Sequence, residues 1–350
     1  MAKQTLRIEQ YETVLYNSNL NPMGVPETIM KAMEEHKDCI IKYPIEYYGA
    51  LKDSISKYVS CPQEHIILGN GSSDLIRLFT AIISPKKALV AVPSASEYAN
   101  VLNSYACEIV EYTLDEAKDY VLDVKALASS LDSSLDMIIL GNPNNPTSQI
   151  IQRDDMEFLA EVCKQLDIFL LVDEMYIEFV NDYKDITCVS LTEEYDNLAI
   201  MRGVSKFFAV PGLRFSYAIM NNPMYMQIIN LTSTPNSLST LTTILCTELF
   251  KDTEYIEASR SQIHTERNLI YSAMFSNKNM KLYKPYANFM LVKILTDKVT
   301  AKDVAEHCKE RGIVIRNCED IHGLDNKYFR FCFMKPKQND LLVNTILELF

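Results

Sequence analysis

From about residue 46 to residue 201 the chain alternates short, mainly apolar runs with stretches of helical periodicity. This alternation constrains the fold more than any other feature. The runs are Ile66-Ile67-Leu68, Ala88-Leu89-Val90-Ala91-Val92, Glu108-Ile109-Val110, Met137-Ile138-Ile139-Leu140, Ile168-Phe169-Leu170-Leu171-Val172 and Leu198-Ala199-Ile200-Met201. Helical stretches at about 46–60, 73–83, 96–105, 123–131 and 153–165 separate several of them. A strand with one face in water alternates apolar and polar residues, whereas a strand apolar throughout needs cover on both faces. Parallel strands obtain that cover from their crossover helices. The pattern predicts an α/β fold, with a large domain holding a mostly parallel sheet between helices. Ligands in such sheets sit beyond the carboxyl ends of the strands. Gly69 to Ser73, Asn142 to Thr147 and Asp173 all fall there.

The pattern changes after Pro223. A helical stretch from about 237 to 275 precedes the strand Asn288-Phe289-Met290-Leu291-Val292-Lys293. A helix at about 300–311, strands Ile313-Val314-Ile315 and Tyr328-Phe329-Arg330-Phe331, and a terminal helix complete the chain. This reads as a small α+β domain. At the other end, residues 1–24 are irregular and close in the turn-rich Asn19-Leu20-Asn21-Pro22-Met23-Gly24, before a helix from Pro26 to about His36. The 350 residues, 48% of them hydrophobic, suffice for one large and one smaller domain. We divide them into an N-terminal segment (1–40) packing with the small domain, a large domain (41–235) and a small C-terminal domain (236–350).

Thirty-four basic and 46 acidic residues give a net charge of −12, which argues against nucleic acid as a partner. Nine scattered cysteines form no C-x-x-C pair, so neither a disulfide framework nor a metal site is expected. No window reaches the length of a membrane span, and Met1 to Thr5 lack the apolar core of a signal peptide. A cytoplasmic protein is expected.

The chemistry lies in an ordered set of polar residues. Asn145 stands in Asn142-Pro143-Asn144-Asn145-Pro146-Thr147, and Asp173 ends an apolar run 28 residues later. Tyr176 follows, then Lys206 at 33 residues beyond Asp173, and Arg214 eight residues after Lys206. Each has a bland reading: a solvated loop lysine, a strand-ending aspartate, a packing tyrosine, a turn asparagine. Together they supply what pyridoxal 5'-phosphate (PLP) requires. An amine reacts with its aldehyde and moves protons. A buried carboxylate keeps its ring nitrogen protonated, so that the ring accepts electrons. A phenol and an amide serve its ring oxygen, and a guanidinium grips its phosphate. The loop Gly69-Asn70-Gly71-Ser72-Ser73-Asp74, between a strand and a helix, adds glycines and hydroxyls at a helix N-terminus, where anions bind.

The segments Asp-Glu-Met-Tyr-Ile-Glu-Phe, Ser-Lys-Phe-Phe-Ala-Val-Pro-Gly-Leu-Arg and Pro-Asn-Asn-Pro-Thr resemble those of the fold-type I, class I and II aminotransferases. Within that family the chain is most similar to the histidinol-phosphate aminotransferases and threonine-phosphate decarboxylases, from Asn19 to its end. The resemblance implies that Lys206 is the Schiff-base lysine and Asp173 the partner of the pyridinium. It places Tyr176 and Asn145 at the ring oxygen and Arg214 at the phosphate, to which the loop residues Ser72 and Ser73 and the neighbouring Ser205 are expected to add contacts. It has Tyr43 reach the phosphate from the second subunit of a homodimer, and Arg330 clamp a substrate carboxylate. Arg316 and Asn21 complete the expected substrate contacts. Three positions depart from the family pattern. Gly203 replaces a hydroxyl residue three before the lysine, with Ser205 as the substitute. Ala95 stands where an aromatic ring usually stacks on the cofactor, which leaves Tyr98 to supply that ring. Ser148 replaces a frequent glycine.

The function read from this set is transfer of an amino group between a small phosphate- or phosphonate-bearing amine or amino acid and a 2-oxo acid. Decarboxylation of a phosphorylated amino acid stays open beside it: Arg316-Asn317-Cys318 and His322-Gly323-Leu324-Asp325 resemble the decarboxylases, but the His-Gly-Gly element usual in them is missing before Asn19. A rival of another class is a PLP-fold domain that only senses a ligand; the complete residue set argues against it.

Overall fold

The computed structural model describes residues 13–44, 48–232 and 237–350. The first residues of the helix expected from 46, and the domain boundary at 235/236, lie outside the described residues. Seven strands form the larger sheet, in the order Ile66–Gly69, Ser216–Ile219, Leu198–Gly203, Phe169–Asp173, Met137–Gly141, Lys87–Val92 and Glu108–Thr113. All six expected strands are present and point the same way. The additional one, Ser216–Ile219, runs antiparallel to both of its neighbours. It is four residues long and follows directly on the Arg214 motif, too short to show a period of its own.

The reason for the unbroken apolar runs is visible in the core. Phe169 and Leu171 enter one apolar cluster, while Leu170 and Val172 enter the other, on the opposite face of the sheet. Helices Ser72–Ile83 and Ser96–Ser104 contribute to the first cluster, and Arg153–Gln165 to the second. The register pairs Gly141 with Asp173 and Asp173 with Met201, so the polar segments after these strands emerge at one edge.

A second, antiparallel sheet has the order Arg316–Asn317, Tyr328–Cys332, Phe289–Ile294 and Met280–Leu282. The N-terminal Val14–Leu15 pairs in parallel with Ile313–Val314. The single strand expected at Ile313-Val314-Ile315 is therefore divided: its first half holds the N-terminal segment, and Arg316–Asn317 joins the four-stranded sheet. The long helix expected at 237–275 is likewise two, Thr240–Leu249 and Thr253–Met274. Asp252 caps the second, its side chain accepting from the Tyr255 N–H at 3.0 Å. No helix among the described residues is long and apolar enough to cross a membrane.

Candidate active site

Asp173 is the last residue of its strand and is almost fully buried. The Tyr98 hydroxyl donates to its Oδ2 at 2.7 Å, and the Met175 N–H donates to its Oδ1 at 2.9 Å. No cation pairs with it among the described residues. Burial pushes its carboxyl up to about 7, against the lowering effect of those two hydrogen bonds. A buried carboxylate normally has a cationic partner. Here the uncompensated charge suits a protonated ring nitrogen.

Lys206 follows the Leu198–Gly203 strand, in a turn held by the N-terminal segment. Its Nζ donates to the Ser18 carbonyl at 2.8 Å, and its own carbonyl accepts from the Asn21 N–H at 3.1 Å. Burial lowers its pKa, and the nearby positive charges of Arg330 and Arg214 lower it further. The amine therefore sheds its proton more readily than a surface lysine does. Tyr176 is buried; its hydroxyl accepts from Asn19 Nδ2 at 3.3 Å, so its own proton remains available for donation. Asn145 Oδ1 accepts from Arg330 Nη1, which leaves the amide nitrogen of Asn145 as a donor.

Arg330 lies in Tyr328–Cys332, with its guanidinium 5.2 Å from the centre of the Phe289 ring and Nη2 donating to the Asn17 carbonyl at 3.1 Å. Its Nε is buried without a partner among the described residues. Arg316 is its direct cross-strand partner, so both side chains leave the same face of the sheet. Asp320 holds the Arg316 guanidinium with two contacts of 2.8 Å. Gly71 (φ 96°) caps the Ser72–Ile83 helix, and Arg214 lies directly against it: a Cβ at Gly71 would overlap Arg214 Nη2. A guanidinium beside the unpaired first-turn N–H groups of a helix makes an anion cradle. Ser72 and Ser73 begin that helix, but their hydroxyls donate to Glu97. Their backbone N–H groups stand in the first turn of that helix, where no intrahelical carbonyl reaches them. Ser205 is buried next to Lys206, and Tyr43 is 92% exposed within this chain.

Two expected roles are corrected. Asn21 does not face a substrate: its Nδ2 donates to the Phe207 carbonyl at 2.7 Å and to Ser259 Oγ at 2.8 Å, and its Oδ1 accepts from the Met23 N–H. It fixes the lysine turn instead. Tyr98 does not offer its ring to a cofactor face, because the ring is buried in an apolar cluster and only the hydroxyl reaches the site. The other departures have local causes. A Cβ at Gly203 would overlap Ser216 Oγ and come within 2.7 Å of Met175 Cε, so no hydroxyl residue fits there. Ser148 holds φ 63°, a conformation that favours glycine. Its hydroxyl offsets the strain by accepting from the N–H groups of Tyr286 and Ala287, at 3.0 and 2.8 Å.

Beneath the site lies an ion pair that sequence reasoning missed. Arg202 donates to Glu174 Oε2 through Nε and Nη2, at 2.9 and 2.8 Å, with both side chains sealed from solvent. The available signal was an arginine inside an apolar strand, a placement that demands a buried carboxylate.

The sequence matches the family model described as aminotransferase class I and II over residues 12–346. This chain belongs to the class I and II aminotransferase family. The family's enzymes depend on PLP, the cofactor expected from the sequence, and the fold is theirs. Among relatives of this aminotransferase-family chain, a protein of Caldanaerobacter subterraneus subsp. tengcongensis is 33% identical over 95% of the chain and 89% of its own length. It bears the provisional name threonine-phosphate decarboxylase. The threonine-phosphate decarboxylase of Salmonella typhimurium is 27% identical over 98% of the chain and 92% of its own length. Among solved structures, the histidinol-phosphate aminotransferase of Clostridium acetobutylicum superposes with a TM-score of 0.89 at 29% identity, covering 96% of this chain and 98% of that one. The relatives thus divide between two reactions, and family membership does not choose between them.

Proposed function

We propose that this protein is a PLP-dependent aminotransferase moving an amino group between a small phosphate- or phosphonate-bearing amine or amino acid and a 2-oxo acid. The observation that carries the reading is a set of groups brought close together around Lys206 and Tyr176. A buried amine with a lowered pKa stands with a buried carboxylate that lacks a cation, and two arginines project side by side from one sheet face. In this reading PLP supplies an aldehyde and an electron-accepting ring. Lys206 Nζ would hold the cofactor through its aldehyde carbon and would carry the substrate proton. Asp173 keeps the ring nitrogen protonated, while Tyr176 and Asn145 present donors to the ring oxygen. Arg214 and the first-turn N–H groups of Ser72 and Ser73 grip the phosphate, with Ser205 beside them.

Arg330 reads a carboxylate and Arg316 a phosphate or phosphonate. Adjacent like charges repel unless an anion lies between them, and a dianion suits two guanidiniums better than one. Asp320 moderates the repulsion until substrate arrives. Residues 41–235 would carry the cofactor, and residues 1–40 with 236–350 would close over the substrate. The exposure of Tyr43, with Ile40 and Ile41 beside it at 73% and 84%, suits a homodimer in which Tyr43 reaches the other copy's cofactor. Nine free cysteines, eight of them buried, suit a reducing cytoplasm.

Decarboxylation of a phosphorylated amino acid is the second reading, favoured by the names of the two relatives above. The two differ in which bond at the substrate carbon stands perpendicular to the ring: C–H or C–carboxylate. If both arginines hold the phosphate, the carboxylate is left free to depart. The test is a panel of phospho- and phosphono-amines and amino acids with a 2-oxo acid, following oxo product and carbon dioxide together. Oxo product without carbon dioxide supports the proposal; carbon dioxide without oxo product replaces it with the second reading.

A further inference from the structure

Tyr98 has no role in the reading above, yet it makes the shortest hydrogen bond to Asp173. It sits in the first turn of the Ser96–Ser104 helix. Glu97, the preceding residue, is clasped by the hydroxyls of Ser72 and Ser73, which ties this turn to the helix cradling the anion site. The Tyr98 ring is buried at 2% exposure, and its hydroxyl emerges at the carboxyl edge of the sheet. Gly141 makes room for it: a Cβ there would lie 3.3 Å from the hydroxyl and 3.2 Å from Asn144 Cα, tighter than side chains normally pack. With Oδ1 held by the Met175 N–H and Oδ2 by Tyr98, the carboxylate of Asp173 cannot rotate without breaking a hydrogen bond.

We propose that Tyr98 is a positioning residue: by fixing the Asp173 carboxylate and favouring its ionised form, it sets how firmly the cofactor's ring nitrogen stays protonated. The inference rests on Asp173 facing that nitrogen. The charged and titratable groups bearing on Asp173 are Glu97 and Tyr98 from the helix, Glu174 next in the chain, and Tyr176 beyond it. Glu97 and Glu174 both disfavour the charge, and burial disfavours it more. Glu174 is largely neutralised by Arg202. Against these, the donors are the Tyr98 hydroxyl and one backbone N–H. Removing the hydroxyl therefore makes Asp173 a weaker acid, and a carboxyl that retains its own proton cannot stabilise one on a ring.

The test uses the full chain, with aspartate labelled at its carboxyl carbon. Asp173→Asn identifies the Asp173 signal by its loss, and the signal is titrated without cofactor in wild type and Tyr98→Phe. The variant keeps the ring and its packing, so loss of one charge-assisted hydrogen bond should raise the midpoint by about one pH unit. A fluorinated tyrosine at position 98, a more acidic donor, should move it down. With PLP labelled at its ring nitrogen, Tyr98→Phe should shift the nitrogen resonance toward the unprotonated position and lower kcat by roughly tenfold, with KM changed less than about twofold. A carboxyl midpoint and nitrogen resonance equal to wild type in both variants would overturn the proposal and leave Tyr98 as core packing. If the protein takes up no PLP, the functional reading fails, while the cofactor-free titration still decides whether Tyr98 governs Asp173.

Discussion

Replacing Asp173 with Asn should stabilise the cofactor-free protein at pH 8 while removing its catalysis. The folded chain holds the Asp173 proton to about pH 7, because burial outweighs the hydrogen bonds from Tyr98 and Met175. The unfolded chain releases it near the ordinary aspartate value of 3.8. The folded pKa is the raised one, so the stability this group contributes is complete below the unfolded pKa and is lost as pH rises through the folded one. A gap of about 3 pH units, at about 1.4 kcal/mol each, costs the folded state about 4 kcal/mol once the carboxylate is ionised. Asn carries no charge at any of these pH values, yet still offers Oδ1 to the Met175 N–H. Its advantage over wild type should therefore grow by about 2–3 kcal/mol between pH 5 and pH 8. Urea unfolding of both cofactor-free proteins at the two pH values measures this directly. Added PLP should reverse the order by stabilising wild type much more than the variant. An advantage that does not change with pH would refute the buried, unpaired carboxylate on which the site rests.

Gly71→Ala should lower PLP affinity at least about tenfold and destabilise the chain by about 1–3 kcal/mol, because its Cβ meets Arg214 on top of the left-handed strain. Gly24→Ala, also at positive φ but in open space, should show the strain alone, and PLP titrations of the two variants separate the effects. Arg330→Ala should reduce kcat/KM for carboxylate-bearing partners by about 30- to 150-fold, the loss of one charge-assisted pair worth about 2–3 kcal/mol. Arg316→Ala should instead raise KM for the phosphate- or phosphonate-bearing substrate and spare the simple oxo acid; equal losses for both would make it a structural residue bound to Asp320.

Most of the large sheet was legible because its central strands are buried on both faces and apolar at nearly every position. Phe169 to Val172 alternate between two cores without a polar interruption. What escaped is what short range cannot encode. Ser216–Ile219 and Met280–Leu282 are too short for a period, and the first also pairs with Ile66–Gly69, a strand distant in sequence. The division at Ile315 depends on the N-terminal segment arriving to pair with Ile313–Val314. At the site, Asp173 ends a strand and Tyr176, Asn145, Lys206 and Arg214 follow strands of the large sheet, while Arg330 reaches Asn145 from the middle of a strand in the small one. Asn21 was misread because an amide in a turn-rich segment looks the same whether it meets a ligand or a backbone carbonyl. Tyr98 was misread because the gap at Ala95 asked for an aromatic ring, and sequence cannot show which end of a tyrosine faces a cleft.

The central claim is that Lys206 holds the cofactor in the cleft beside Asp173. Borohydride reduction of the PLP-loaded protein, followed by peptide mass analysis, tests it most directly. The cofactor mass should be fixed on the peptide containing Lys206, at one per chain, and Lys206→Ala should show neither the adduct nor turnover. Adduct on another lysine with Lys206 unmodified, or full activity in Lys206→Ala, would contradict it.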